Sequence, residues 1–203
     1  DGIDGIDGID GIDGIDGIDG IEPNCHNQEL INKKNYRNIW CGLAQDIPLD
    51  LFSQYDLICL LDIIEHLNSE IAKDLLTTLL ENMGDDSYLF ISTPLWFYPQ
   101  DTIQEGDLEE HLIAIPASSM MALQPKLYKI TEDLIGGFVL TKESLKFMDF
   151  FQPTEDKSFS FQKGLEIIND LKLDYSDPMK QVKLPFNKKL LRSIKKRLGL
   201  IKK

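Results

Sequence analysis

The chain has few cysteines, fewer basic than acidic groups and no long apolar run. Its three cysteines, Cys25, Cys41 and Cys59, are odd in number and form no CxxC pair. Neither a disulfide framework nor a cysteine-rich metal knuckle is encoded by that spacing. The three are expected to be packing thiols in a reducing cytoplasm, with Cys59 inside a buried strand. No apolar stretch approaches the ~20 residues of a membrane-spanning helix. The N-terminal residues show neither the basic n-region nor the apolar h-region of a secretory signal. Lys and Arg number 21 against 34 Asp and Glu, a net charge of −13. Such a deficit disfavours a nucleic-acid substrate. What remains, 203 residues with 42% hydrophobic, is the composition of one soluble domain with a sizeable core.

The charge is not evenly spread. Ten of the 21 basic residues fall between Met179 and Lys203, where there is no acid, so the preceding 178 residues hold 11 basic groups against 34 acidic ones. Within this tail Leu190, Leu191, Ile194, Leu198 and Ile201 fall on one face of a helix from Asn187 to Lys203, and lysines fill the other. A basic amphipathic helix reads as a binder of an anionic membrane surface or of a protein partner, or as a segment that folds back on the acidic body.

Residues 1–21 are seven copies of Asp-Gly-Ile. A period of three matches neither a strand nor an amphipathic helix, and glycine in every third place makes ordering entropically costly. The reading is a flexible arm over residues 1–18 whose last copy, Asp19-Gly20-Ile21-Glu22, enters the fold. A helix from about Asn24 to Lys34 and a strand within Tyr36–Gly42 are expected next.

The chain is organised around Tyr55–Pro99. Leu57–Leu61 is an apolar run that ends on Asp62. Glu65 and His66 follow, then a helix over Ser69–Met83 with Ile71, Leu75, Leu76, Leu79, Leu80 and Met83 on one face. A second apolar run leads into Ser92-Thr93-Pro94. Strand, helix, strand without polar alternation predicts a parallel sheet buried on both faces. In such sheets ligands bind beyond the carboxyl ends of the strands, where Asp62, Glu65, His66 and Thr93 fall. Leu127–Thr131 and Phe138–Thr141 read as a closing antiparallel hairpin, Ser144–Phe151 as a helix, and Gly164–Leu173 as another.

The pattern Y-D-L-I-x-x-x-D-I-I-E-H-L, then a helix, then L-F-I-S-T-P, resembles the second half of a class I S-adenosylmethionine-dependent methyltransferase. The resemblance spans about Gly20 to Glu143. It implies an incomplete Rossmann-like, doubly wound, mostly parallel sheet over residues 19–152, and an extension over 153–203 that carries the basic helix. It also implies S-adenosyl-L-methionine as cofactor. By the same resemblance Glu22 would bind the cofactor's ribose, its other reading being a helix-starting acid. Ala44 would offer a backbone contact to the adenine. Asp46 would stand in for a family aspartate whose place Leu43 takes, unless it is simply a turn residue before Pro48. Asp62 would lie near the methionine end. One departure is clear: the glycine-rich turn of the type E-x-G-x-G-x-G is missing.

The resemblance further implies acid–base roles for Glu65 and His66, with Asp62 orienting. A subset of relatives, the small-RNA 3′-end and ubiquinone O-methyltransferases, shares acid-x-x-Glu-His and holds a divalent metal there. Asp62, Glu65 and His66, joined by His111, would be the corresponding ligands. The alternative is a metal-free site in which Glu or His caps a helix or faces substrate. The loop Pro94–Pro116, with Trp96, Phe97, Tyr98 and the acids Glu105, Asp107, Glu109 and Glu110, is the expected substrate region or a lid. The function implied is methyl transfer to an oxygen or nitrogen of a small-molecule or glycan-like acceptor. The alternative is a non-catalytic scaffold that docks through its basic tail.

Overall fold

The computed structural model describes residues 17–23, 36–44, 47–100 and 108–175. The expected helix over 24–34, Asp46, Glu105, Asp107 and the basic helix over 187–203 lie outside these residues.

The described residues form a mixed α/β structure with two sheets. In the first, β1 (Asp19–Glu22) runs parallel to β2 (Asn38–Cys41), with Asp19 opposite Asn38 and Glu22 opposite Cys41. The second has the order β3-β4-β6-β5. Here β3 (Leu57–Leu61) is parallel to β4 (Tyr88–Pro94), and β6 (Ile135–Leu140) is antiparallel to both β4 and β5 (Leu127–Ile130). This sheet is therefore mixed.

Between β3 and β4 lies α1 (Ser69–Asn82). Asn68 caps it, its side-chain oxygen accepting the N–H of Ile71, and Glu70 sits in the first turn where the helix dipole favours an acid. Its inner stripe is Ala72, Leu75, Leu76, Leu79 and Leu80. Each fully buried leucine stabilises the fold by about 2 kcal/mol. Ile71, expected on that stripe, is 40% exposed, and Ala72 takes its place. The stripe packs on the 3-10 segment Lys142–Phe150 and on the inner sheet face, where Leu89, Ile91, Phe138 and Leu140 are fully buried. Two further helices follow, α2 (Ala117–Ala122) and α3 (Phe161–Asp170), in contact with each other. Ile168 of α3 is fully buried in the same core. No helix among the described residues is long and apolar enough to cross a membrane.

Two expectations are corrected here. The apolar strand β3 is not buried on both faces. Leu60 points inward, while Leu57 and Leu61 are 55% and 42% exposed and Cys59 between them is an exposed free thiol. Period-two alternation sends these three side chains to the outer face, which no described element covers. Nor are the cysteines all packing thiols, since Cys41 is disulfide-bonded.

Asp19 joins the two sheets. Its side chain, 4% exposed, accepts hydrogen bonds from Arg37 Nη2 (2.6 Å) and Nε (3.0 Å), from the backbone N–H of Asn38 (3.0 Å) and from the Tyr55 hydroxyl (2.6 Å). The Arg37 hydrogen bond holds its carboxyl down to about 2, against the opposing effect of burial. Burial and the neighbouring carboxylate push the Tyr55 hydroxyl up to about 12. The start of β1 is thus tied to the chain two residues before β3, although β1 and β3 belong to separate sheets.

Candidate functional site

At the carboxyl end of β3 the chain makes an abrupt turn. Asp62 adopts φ +52°, a left-handed conformation that aspartate tolerates better than most side chains. Its N–H donates to the Ser92 carbonyl (3.0 Å), and the Ser92 hydroxyl donates to its carboxylate (3.1 Å). The turn feeds a short 3-10 segment, Ile64–His66, anchored by the fully buried Ile64.

That anchoring carries Glu65 inward, where it is 2% exposed. One carboxylate oxygen accepts the hydroxyl of Thr93 at 3.1 Å. Thr93 shares the inward face of β4 with Leu89 and Ile91. The Glu65 backbone carbonyl accepts the N–H groups of Leu112 (2.8 Å) and Ile113 (3.3 Å). These two bonds pin the end of the substrate loop across the turn and bring His111 beside His66. The ring centroids lie 4.5 Å apart at an interplanar angle of 78°.

Each imidazole is oriented by a backbone carbonyl. His66 Nδ1 lies 3.2 Å from the Glu110 carbonyl and His111 Nδ1 lies 2.8 Å from the Tyr98 carbonyl. A carbonyl only accepts, so each Nδ1 carries its proton toward that oxygen, and the lone pair of the neutral ring resides on Nε2. One ligand atom each from Glu65, His66 and His111 lies within 4.8 Å of the others. The second oxygen of Glu65, Oε1, is buried without a hydrogen-bond partner.

The electrostatics follow from burial. Desolvation, reinforced by the charge of Asp62, pushes the Glu65 carboxyl up to about 8, opposed in part by the Thr93 hydrogen bond. Desolvation and the neighbouring His66 hold His111 below its ordinary value, which favours the neutral ring. Two imidazoles and a carboxyl short of a partner are the donor set of a divalent cation. Hydrogen bonds from ligand His to carbonyls and from a hydroxyl to the ligand carboxylate are the outer shell such sites use. The residues therefore fit a metal such as Mn²⁺ or Zn²⁺. Asp62 stands outside the three-donor group, held by Ser92, and acts on Glu65 and His111 through its charge.

Of the residues assigned to S-adenosylmethionine, Glu22 pairs with Cys41 in the β1–β2 register, and its carbonyl accepts the N–H of Gly42, two residues before Ala44. Glu22 is 7% exposed at the end of β1, Ala44 is half-buried and packs on the main core, and Leu43 is 39% exposed. Among the described residues no glycine-rich strand-to-helix loop offers a cradle for the methionine half of the cofactor, since their glycines fall in β1, β6, α3 and isolated turns. No step through this cofactor is derived.

The substrate loop divides. Phe97 is core, 8% exposed and packed with Ala114 and Phe159. Trp96 and Tyr98 instead continue the line of rings away from the histidines: Tyr98 lies 5.9 Å from His111, Trp96 5.2 Å from Tyr98, and Phe161 5.6 Å from Trp96. Tyr98 is 47% exposed, so an aromatic wall open to solvent adjoins the three donors. Two participants escape the sequence reading, which places Thr93 only at the strand end. Thr93 was legible as the one hydroxyl in an inward-facing apolar alternation. The Tyr98 and Glu110 carbonyls leave no side-chain signal, being backbone groups.

No protein-family model matches the chain, and no curated protein matches it.

Proposed function

We propose that this chain is a metal-assisted methyltransferase-like protein that activates a hydroxyl of a small-molecule or glycan-like acceptor for methylation by S-adenosylmethionine. The carrying observation is the convergence of Glu65, His66 and His111 with a buried carboxylate oxygen left without a partner. A divalent cation on these residues would act as a Lewis acid that lowers the pKa of an acceptor hydroxyl. Thr93 and the carbonyls of Tyr98 and Glu110 keep the three ligands in register. The edge-to-face rings of Tyr98, Trp96 and Phe161 give the acceptor an apolar surface beside the donors, which serves alignment, the chief requirement of direct displacement. The acids nearby, Glu109 and Glu110, favour a neutral or sugar-like acceptor over a polyanion.

A Rossmann-like arrangement is part of this reading. What supports it is that β1, β2, β3 and β4 are joined by parallel pairing within each sheet, that β1 and β3 each keep one unpaired edge among the described residues, and that Tyr55 ties their starting ends. One strand between β1 and β3 would make the sheet continuous.

The test is calorimetric titration of the full chain with Mn²⁺ and with Zn²⁺, beside His111→Ala. Micromolar binding, about −8 kcal/mol, that is lost in the variant supports the proposal. Equal affinity in both chains overturns it. The absence of a glycine cradle among the described residues and the exposed Leu43 favour a second reading, a non-catalytic relative. Metal binding without any response to S-adenosylhomocysteine in the same calorimeter would select that reading.

A further inference from the structure

The outer face of the four-stranded sheet is apolar and uncovered by any described element. Leu57, Cys59 and Leu61 of β3 stand on it, paired across the strand register with Tyr88, Phe90 and Ser92 of β4. Phe90 leans over Gly137 of β6, where an added Cβ would lie 3.2 Å from its ring, and Val139 continues the surface. The inner face, by contrast, is buried by α1 and the Lys142–Phe150 segment. A sheet in an α/β protein is ordinarily covered on both faces.

We propose that this outer face is the docking site of the chain's own basic amphipathic segment, residues 187–203. Three observations support that occupant. The first is pattern: Leu190, Leu191, Ile194, Leu198 and Ile201 repeat at helical spacing, which makes an apolar stripe. A helix of that length spans about 25 Å, enough to cross four strands spaced about 4.8 Å apart. The second is reach. The described structure ends at Tyr175, after α3, whose Leu173 packs on the core. The connecting residues 176–186 can extend to about 35 Å, which is wider than the sheet. The third is charge. The segment carries Lys and Arg and no acid, while Asp56 and Asp86 border one end of the β3–β4 pair and Asp62 the other. Among the described residues Lys129 on β5 is the one cation on this face and sets the footprint: the segment lies over β3 and β4, away from β5.

Cys59 is a built-in reporter, because a docked helix covers its thiol. The experiment measures the alkylation rate of Cys59 by iodoacetamide, read by peptide mass spectrometry, in the full chain and in the full-length Ile194→Asp/Leu198→Asp variant. The expected result is labelling about ten-fold slower in the wild type, the factor that corresponds to ~1.4 kcal/mol of docking, with the difference shrinking in molar salt. Equal rates overturn the proposal. If rates are equal and the wild type alone binds phosphatidylserine vesicles, the segment is a membrane-surface binder instead. A carbodiimide cross-link map guards against a misfolded variant. In the wild type, links from Lys195 or Lys196 to Asp56, Asp62 or Asp86 support docking, and their absence overturns it.

Discussion

Replacing Glu65 by Gln should have opposite effects on the metal-free and metal-loaded protein. Without metal, Glu65 is buried, hydrogen-bonded at one oxygen only, and faces the charge of Asp62. Its carboxyl titrates near 8 in the folded chain against an ordinary 4.5. Below pH ~4.5 the proton is bound in both states and the group contributes nothing to pH-dependent stability. As pH rises, the unfolded chain sheds the proton first, so folding loses about 1.4 kcal/mol for each tenfold fall in proton activity. The loss reaches roughly 3 kcal/mol at neutral pH and levels off near 5 above pH ~8. Glutamine keeps the shape and a Thr93 partner and never ionises. Metal-free Glu65→Gln should therefore match the wild type at acid pH and exceed it increasingly toward pH 8. With metal at a hundred times its Kd, the wild type gains about 2.7 kcal/mol and the variant almost none. Chemical denaturation across pH, with EDTA and with Mn²⁺, reads both effects. If the metal-free variant is no more stable than the wild type at pH 8, the burial argument fails. If Mn²⁺ stabilises both chains equally, Glu65 is not a ligand.

Two further outcomes test the frame around the site. Asp19→Asn should cost about 2 kcal/mol at neutral pH, since Arg37, Asn38 and Tyr55 all lose a charged acceptor. The depressed carboxyl makes this stability present above the ordinary 3.8 and lost as pH falls through about 2, so urea midpoints of the two chains should converge there. Gly164→Ala should cost about 1–3 kcal/mol, because the added Cβ would lie 2.7 Å from the Leu95 carbonyl oxygen. A thermal melt that leaves this variant unchanged would show that α3 packs more loosely than its contacts state.

Much of the central unit was legible because its signals are local. The run Leu57–Leu61, the cap at Asn68 and the leucine spacing of α1 each depend on neighbours in sequence. The hairpin was placed with its turn, though β6 begins at Ile135 rather than Phe138. Burial was less legible. Leu57 and Leu61 read as interior because apolar side chains predict interior, yet exposure depends on whether another element arrives, which the strand itself does not encode. Ile71 misled for a simpler reason: Ala72 faces the core one position on, and a small residue gives a weak hydrophobic signal. At the site, Glu65 and His66 were marked by their place beyond a strand end. The meeting of His66 with His111 needed the long-range bonds from Leu112 and Ile113 to the Glu65 carbonyl, which no spacing in the sequence specifies.

The strand β1 is the last of seven identical tripeptides, and its aspartate is the residue gripped by Arg37, Asn38 and Tyr55. A gain or loss of whole copies upstream leaves Asp19-Gly20-Ile21 still joined to Glu22. The same four residues would be offered to β2 in the same register whatever the copy number. Tandem slippage, ordinarily an insertion that displaces a strand from its partners, would here hand β2 an identical strand. A change in copy number would thus leave the grip on Asp19 intact, because every copy supplies the same Asp-Gly-Ile.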